Sequence, residues 1–299
     1  MILPRICRRG AARSWELPAL LLVTALGGCF SVPAAQQAMR VDSRVARSGP
    51  SPFCDTAPAP SGAEADRAIG LDPARVRVLT WNVHKGDDAG WLADFAWFGA
   101  GHDVVLIQEA RLSDPLRRVL REEDLHWALA GAFRFRDVDT GVLTAARAPA
   151  DRACMLRATE PITRIPKAAV VTRYPFAGSS ASLLVANVHA VNFTFGTSRL
   201  RDQLDAVAAV LARHDGPVIL AGDFNTWNEA RRRAVEAVAA QLRLRAVSLD
   251  PDERSRFLGE PVDQIYYRGL VPGAALAVPV RSSDHNPLSA EFRLAQRDE

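Results

Sequence analysis

From Arg75 onward, short apolar runs recur between polar breaks, and the period of each run separates strands from helices. VRVLTWNV, DVVLIQEA, GVLTAA, AAVVTRY, SLLVANVHA, PVILAGDFN, VDQIYY and NPLSAEF are each too short for a typical helix. They are rich in β-branched or large apolar residues and bounded by Gly, Pro, Asp or Asn, which predicts strands. Ser198 to Arg213 differs, with apolar residues at Leu200, Leu204, Val207, Val210 and Leu211. Glu229 to Leu242 does the same at Val235, Val238 and Leu242. Both spacings predict helices with one core-facing stripe. The alternation of strands and helices, with neither an internal repeat nor a break between 75 and 294, predicts one α/β domain.

The first 74 residues follow another pattern. Arg5, Arg8, Arg9 and Arg13 precede the apolar run LPALLLVTALGG, which ends at Cys29. A run of about 12 apolar residues is shorter than the roughly 20 that a membrane span needs, so residues 1–29 read as a secretory signal. LGGC resembles a bacterial lipobox, which would make Cys29 the lipidated first residue of the mature chain. Phe30 after it, where Asp could stand, points to the outer membrane, facing the periplasm. Residues 30–74, rich in Ala, Pro, Ser and Gly, read as a flexible tether. The catalytic candidate is then 75–299.

This division changes the meaning of the charge. The chain has 37 basic residues and 34 acidic ones; removing the four arginines and Glu16 of the signal leaves 33 of each. The basic pI of about 8.9 therefore belongs to the signal and gives no support for nucleic-acid affinity. Of the four cysteines, Cys7 is lost with the signal and Cys29 is the lipid site. Cys54 and Cys154 can form a bridge in an oxidising compartment or stand as separate thiols.

The candidate chemistry lies where the strands stop. Asn82 ends the first, Glu109 the second and His189 a later one; Asp223 and Asn225 end VILAGDFN, Asp263 opens DQIYY, and Asp284 and His285 follow in SSDHNP. Strand periodicity would send Asp223 and Asn225 to one face. The alternative for that pair is an Asx-type turn that only satisfies backbone amides. Polar groups gathered at the same ends of neighbouring strands can converge on one pocket.

WNVHKG, IQEAR, NVHAVNF, GDFN, VDQIYY and SDHNPL, in that order, resemble the endonuclease/exonuclease/phosphatase superfamily, the DNase-I-like enzymes. TEPITRIPKAAVVTRYP with NVHAVNF is similar to its bacterial YafD-like group. The resemblance implies a four-layer α/β/β/α sandwich of two packed mixed sheets and a metal-dependent phosphodiesterase. Glu109 would bind Mg2+ or Mn2+, with Asn82 as ligand or support and Asp284 as a further acid on the metal side. Asp223 and Asn225 would position the attacking water and the phosphate. His285 would be the general acid or base, oriented by Asp263, and His189 would donate to a phosphate oxygen or leaving group. Arg111 matches an arginine that touches nucleic acid, and Asn192 and Lys85 are candidates for the phosphate pocket. His84 reads as structural, and Asp87 and Asp88 as solvated loop acids. The expected substrate is a phosphodiester, either nucleic acid, which makes the enzyme nuclease-like, or phospholipid, as in the sphingomyelinase-like branch. The expected state is a monomer. A binding module that has lost its chemistry is the reading from another class.

Overall fold

The structure, a computed structural model, describes residues 30–42, 54 and 69–295. The signal and most of the tether lie outside the described residues. In chain order the strands are β1 (Phe30–Ser31), β2 (Met39–Val41), β3 (Val76–Asn82), β4 (Val104–Arg111), β5 (His126–Phe135), β6 (Val138–Ala146), β7 (Arg152–Thr159) and β8 (Pro166–Pro175). Then follow β9 (Ser182–His189), β10 (Val218–Asp223), β11 (Arg245–Ala246), β12 (Arg256–Phe257), β13 (Glu260–Pro261), β14 (Asp263–Arg268), β15 (Leu270–Ala277) and β16 (Leu288–Leu294). The helices are α1 (Ala35–Ala38), α2 (Trp91–Gly101), α3 (Asp114–Glu122), α4 (Ser198–Leu211) and α5 (Glu229–Gln241).

Two mixed sheets stack face to face. The first runs β1-β5-β6-β4-β3-β16-β15, with β2 also on β5, and the second runs β11-β14-β10-β9-β8-β7. Period-two alternation sorts each strand between two apolar layers. Val78 of β3, Leu106 of β4, Val185 of β9, Ile219 of β10 and Ile265 of β14 face the layer between the sheets. Leu79, Trp81 and Ile107 turn outward to Phe95 and Phe98 of α2 and to Leu116 and Leu120 of α3. Ala186, Val188 and Leu220 turn outward to Leu204 and Val207 of α4 and Val235 and Val238 of α5. The result is the α/β/β/α sandwich implied by the sequence. Each Val, Leu, Ile or Phe among them contributes about 1.5–3 kcal/mol through burial.

The inner faces change character toward one end. Thr80, Asn82, Gln108, Asn187, His189, Asp223 and Asp263 are all buried polar groups. They continue the same inward rows that hold Val78, Leu106, Val185, Ala221 and Ile265 one step earlier. A polar seam bridges the sheets beneath them: the Gln108 amide donates to Thr80 Oγ1 at 3.1 Å and to Asn187 Oδ1 at 2.6 Å.

The flexible-tether reading of 30–74 is corrected at its start. Phe30 pairs with Phe135, and Met39 and Val41 pair with Ala130 and Ala128 on β5. An open β5 edge would leave its N–H and C=O groups unpaired, and this arm covers it. Gly131 makes the approach possible, since a Cβ there would lie 2.6 Å from Ala38 O. Averaged composition hid the short apolar pieces FSV and MRV. Cys54 and Cys154 form a disulfide, which closes the choice left open by the sequence.

Candidate active site

Backbone register assembles one half of the site. Asp223 is paired with His189 on one side and with Asp263 on the other, so three chemically active side chains stand in one row across the second sheet. Gly222 allows the close strand approach there: its φ is 140° and a Cβ would meet Val188 O at 2.0 Å. Opposite, Asn82 of β3 donates from Nδ2 to Asp223 Oδ2 at 3.0 Å and joins the two sheets. Its Oδ1 accepts from His84 N at 3.1 Å, so the amide is fixed in orientation.

Asn225 departs from the period-two expectation. Its φ is 50°, its N–H donates to Asp223 Oδ1 at 2.9 Å, and its side chain donates to Ala190 O at 2.9 Å. The Asx-type turn and the site are therefore one structure, with the turn holding the Asp223 carboxylate. Buried Arg231 locks the surroundings from below, donating to Asn225 O at 2.6 Å, to Thr194 Oγ1 at 3.1 Å and to Val191 O.

Glu109 would point toward α2 and α3 if β4 were regular. Instead its φ is 56°, and the β4–β6 register slips between Ile107 and Ala110. This bulge, whose left-handed residue costs about 1–3 kcal/mol, re-aims the carboxylate toward the row. Glu109 Oε2 lies 2.8 Å from Lys85 Nζ, and Oε1 lies 3.8 Å from both Lys167 Nζ and His189 Nε2. Burial opposes its charge, but His189, Lys167 and Lys85 outweigh burial and hold the carboxyl down at about 2. The His189 ring is itself pushed well below its usual range by burial and by Lys167. Its Nε2 accepts from Lys167 Nζ at 2.8 Å. With that nitrogen occupied as an acceptor, the two lysines are the cations here.

On the other side of Asp223, His285 Nδ1 lies 2.7 Å from Asp263 Oδ2. Its loop is anchored by Trp81 Nε1 on His285 O at 2.8 Å and by Ser283 Oγ on Asn82 O at 2.7 Å. Burial works against a charged ring, yet Asp263, Asp223 and Asp284 together push His285 up to about 10. With Nδ1–H given to Asp263, Nε2 carries the proton available for chemistry. Burial pushes Asp223 up as well, to about 6, because His285 only partly offsets the loss of water and the neighbouring Asp263 adds to it.

Other sequence candidates lie further out. Asp284 is exposed, close enough to favour protonated His285 and His84. Arg111 pairs with Asp87 at 3.1 Å and its guanidinium sits 5.9 Å over Phe135, so neither it nor Asp87 is a bare loop charge. His84 likewise pairs with Asp88 at 2.8 Å. Asn192 holds its own loop: its N–H donates to Glu160 Oε1 at 2.7 Å and its Oδ1 accepts from Trp227 at 2.9 Å. The sequence reading missed Lys167. The one signal for it was a lone cation between Pro166 and the apolar run of β8.

Asp223, Asp263 and His285 offer ligand atoms within 4.8 Å of one another, a group able to hold a metal ion. The residues around it fit a hard divalent cation: Glu109 and Asp223 supply carboxylate oxygen, Asn82 donates to Asp223 Oδ2, and no thiol is among them.

A family model described as the endonuclease/exonuclease/phosphatase family matches residues 79–285, which spans Asn82 through His285. The chain belongs to this family. Its members hydrolyse phosphoester bonds and generally use divalent metals. A UPF0294 protein of Vibrio parahaemolyticus is 36% identical over 75% of this chain and 79% of that protein. Another, from Klebsiella pneumoniae, is 39% identical over 75% of this chain and 84% of its own length. Among solved structures, an endonuclease/exonuclease/phosphatase from Beutenbergia cavernae superposes with a TM-score of 0.61 at 17% identity, covering 74% of this chain and 72% of that one. The human Nocturnin catalytic domain with bound sulfate gives 0.59 at 17% identity, covering 76% and 97%. At such identities the two structures show that this family member shares their fold.

Proposed function

We propose that the chain is a Mg2+- or Mn2+-dependent phosphodiester hydrolase in which Asp223 and His285 divide the proton chemistry. The supporting observation is the placing of Asp223 in register with Asp263, whose Oδ2 lies 2.7 Å from His285 Nδ1, so that an acid raised to about 6 stands near an imidazole raised to about 10. At neutral pH Asp223 is largely ionised and accepts the proton of an attacking water, while Asn82 and the Asn225 amide hold its two oxygens in place. His285 is then cationic; its Nε2–H neutralises charge on the phosphoryl group and protonates the departing alkoxide, with Asp263 stabilising the ring. The water oxygen bonds to phosphorus as its proton passes to Asp223, the P–O bond to the leaving alcohol breaks as His285 Nε2 gives its proton to the alkoxide, and the two groups then return to their starting states by exchange with solvent. Glu109, supported by Asn82 and Asp284, would hold the cation, which when bound polarises a phosphoryl oxygen and stabilises developing charge. Lys85 and Lys167 add fixed positive charge at the same edge. Protein stripped with EDTA is expected to lose hydrolysis of bis(p-nitrophenyl) phosphate and to regain it with Mg2+ or Mn2+. Undiminished turnover in the stripped protein rejects metal dependence.

The same proposal places the enzyme in the cell envelope, with Cys29 lipidated and the domain carried on the outer membrane facing the periplasm. The basic-then-apolar leader ending in LGGC and the Cys54–Cys154 bridge support it, since disulfides persist in oxidising compartments. No helix among the described residues is long and apolar enough to cross a membrane.

A further inference from the structure

The bulge that re-aims Glu109 takes its support from the opposite sheet. Between the pairs Ile107–Leu143 and Ala110–Gly141, Gln108 and Glu109 of β4 stand opposite the single residue Val142 of β6. One extra residue on one strand disrupts the ladder at that point. Buried carbonyl groups beside such a break need partners from elsewhere. Asn187 of β9 supplies them. Its Nδ2 donates to Leu143 O at 2.9 Å and to Ile107 O at 3.4 Å, the two carbonyls of the last regular pair before the slip. Its Oδ1 accepts from Gln108 Nε2 at 2.6 Å, so the same amide also holds one of the two bulged residues. The residue has no exposed surface.

Position 187 is otherwise one for an apolar side chain. Two residues earlier on β9, Val185 faces the layer between the sheets that also holds Val78 and Leu106, where β4 is still in register with β6. An apolar contact suffices there because the ladder satisfies its own backbone groups. Two residues later His189 points the same way and lies 3.8 Å from Glu109 Oε1. One strand therefore reaches Glu109 twice, through His189 beside the carboxylate and through Asn187 at the bend in the backbone that delivers it. Thr80 provides the contrast. It accepts the other Gln108 hydrogen bond at 3.1 Å but stands on β3, in regular register with Leu106.

We propose that Asn187 is a positioning residue for the metal-side carboxylate: its amide clamps the slipped backbone of β4 and so keeps Glu109 turned into the row and away from α2 and α3. The inference rests on the metal-dependent reading and adds to it a residue that touches neither substrate nor cation. The test uses the full chain and measures the Kd for Mn2+ by titration calorimetry, amide hydrogen exchange over residues 104–111, and stability in urea. Asn187→Leu keeps much of the side-chain volume and removes the donors. It is expected to weaken Mn2+ binding at least about tenfold and to speed exchange over 104–111. Hydrolysis of the soluble ester bis(p-nitrophenyl) phosphate at limiting Mn2+ should fall with it. Asn187→Val, smaller and well suited to a strand, should give the same result and stands in if the leucine variant fails to fold. Thr80→Val removes the other partner of Gln108; it should lower stability but keep the parental Mn2+ affinity and the parental exchange over 104–111. Parental Mn2+ affinity in a folded Asn187 variant overturns the inference, as does weaker binding with unchanged exchange over 104–111, or an equal weakening in Thr80→Val. Each of these leaves the metal-dependent reading standing. Glu109→Gln serves as the reference for that reading: parental Mn2+ affinity in this variant would remove it, and the inference with it.

Discussion

Asp263 never needs to touch substrate to control the reaction, because its effect passes through His285. The carboxylate accepts from Nδ1 at 2.7 Å and is the leading influence that raises the ring against burial. Hydrolysis of the soluble ester should rise with pH as Asp223 ionises near 6 and fall as His285 loses its proton near 10. Removing a group that raises a pKa lowers it, so Asp263→Asn should move the alkaline limb to lower pH and leave the acid limb, which belongs to Asp223, in place or slightly lower. A kcat/KM profile against pH measures both limbs. An unmoved alkaline limb would mean that another group sets it. The residue scale also shows what sequence could reach. Asp223 was legible because it ends an apolar run, Asp263 because it opens one, and His285 through the SDHNP motif. Lys167 was not, since its partner Glu109 lies far away in sequence and nothing local announces the contact.

Element boundaries were legible where β-branched residues or a clean helical stripe marked them, as in Val218–Asp223 and Ser198–Leu211. They were hidden where packing overrode composition. HWALAGAFRF is a ten-residue strand despite its Ala and Gly content, because both of its faces are covered and its edge is paired by the arm. α2, WLADFAWFGAG, carries apolar residues around most of its circumference and so shows no stripe. The bulge at Glu109 is likewise a register effect that no single-strand pattern contains. Below the site, Arg231 is the link between elements, joining α5 to the loops after β9 and β10 through three acceptors. Arg231→Met keeps much of the volume but leaves buried carbonyl groups unpaired, at about 1–3 kcal/mol for each such group. Chemical denaturation should show a loss of about 2–4 kcal/mol, with turnover of the surviving folded protein reduced because Asn225 is no longer held. A stability within 0.5 kcal/mol of the parent, as for ordinary surface changes, would show that the loops hold themselves.

The whole molecule is a sandwich closed at one edge by its own N-terminal arm and stapled by the Cys54–Cys154 disulfide across a separation of 100 residues. Composition alone treated residues 30–74 as tether, since a short paired segment contributes little to an average over so long a stretch. Cross-links over long loops restrict the unfolded chain most, so reduction or Cys154→Ser should lower stability by roughly 2–5 kcal/mol, read as a fall in the denaturant midpoint under non-reducing conditions. An unchanged midpoint would mean that the bridge adds nothing to the domain. The two sheets, the arm and the staple serve one geometric end, holding the Asp263–His285 pair and Asp223 in a row opposite Asn82 and Glu109. The most direct measurement is kcat for soluble phosphodiester hydrolysis by Mg2+-loaded protein, comparing the parent with Asp223→Asn and His285→Ala after circular dichroism has confirmed that both are folded. Each substitution should cost about 10²- to 10⁴-fold, and near-parental turnover by either folded variant would contradict the division of proton chemistry between these two residues.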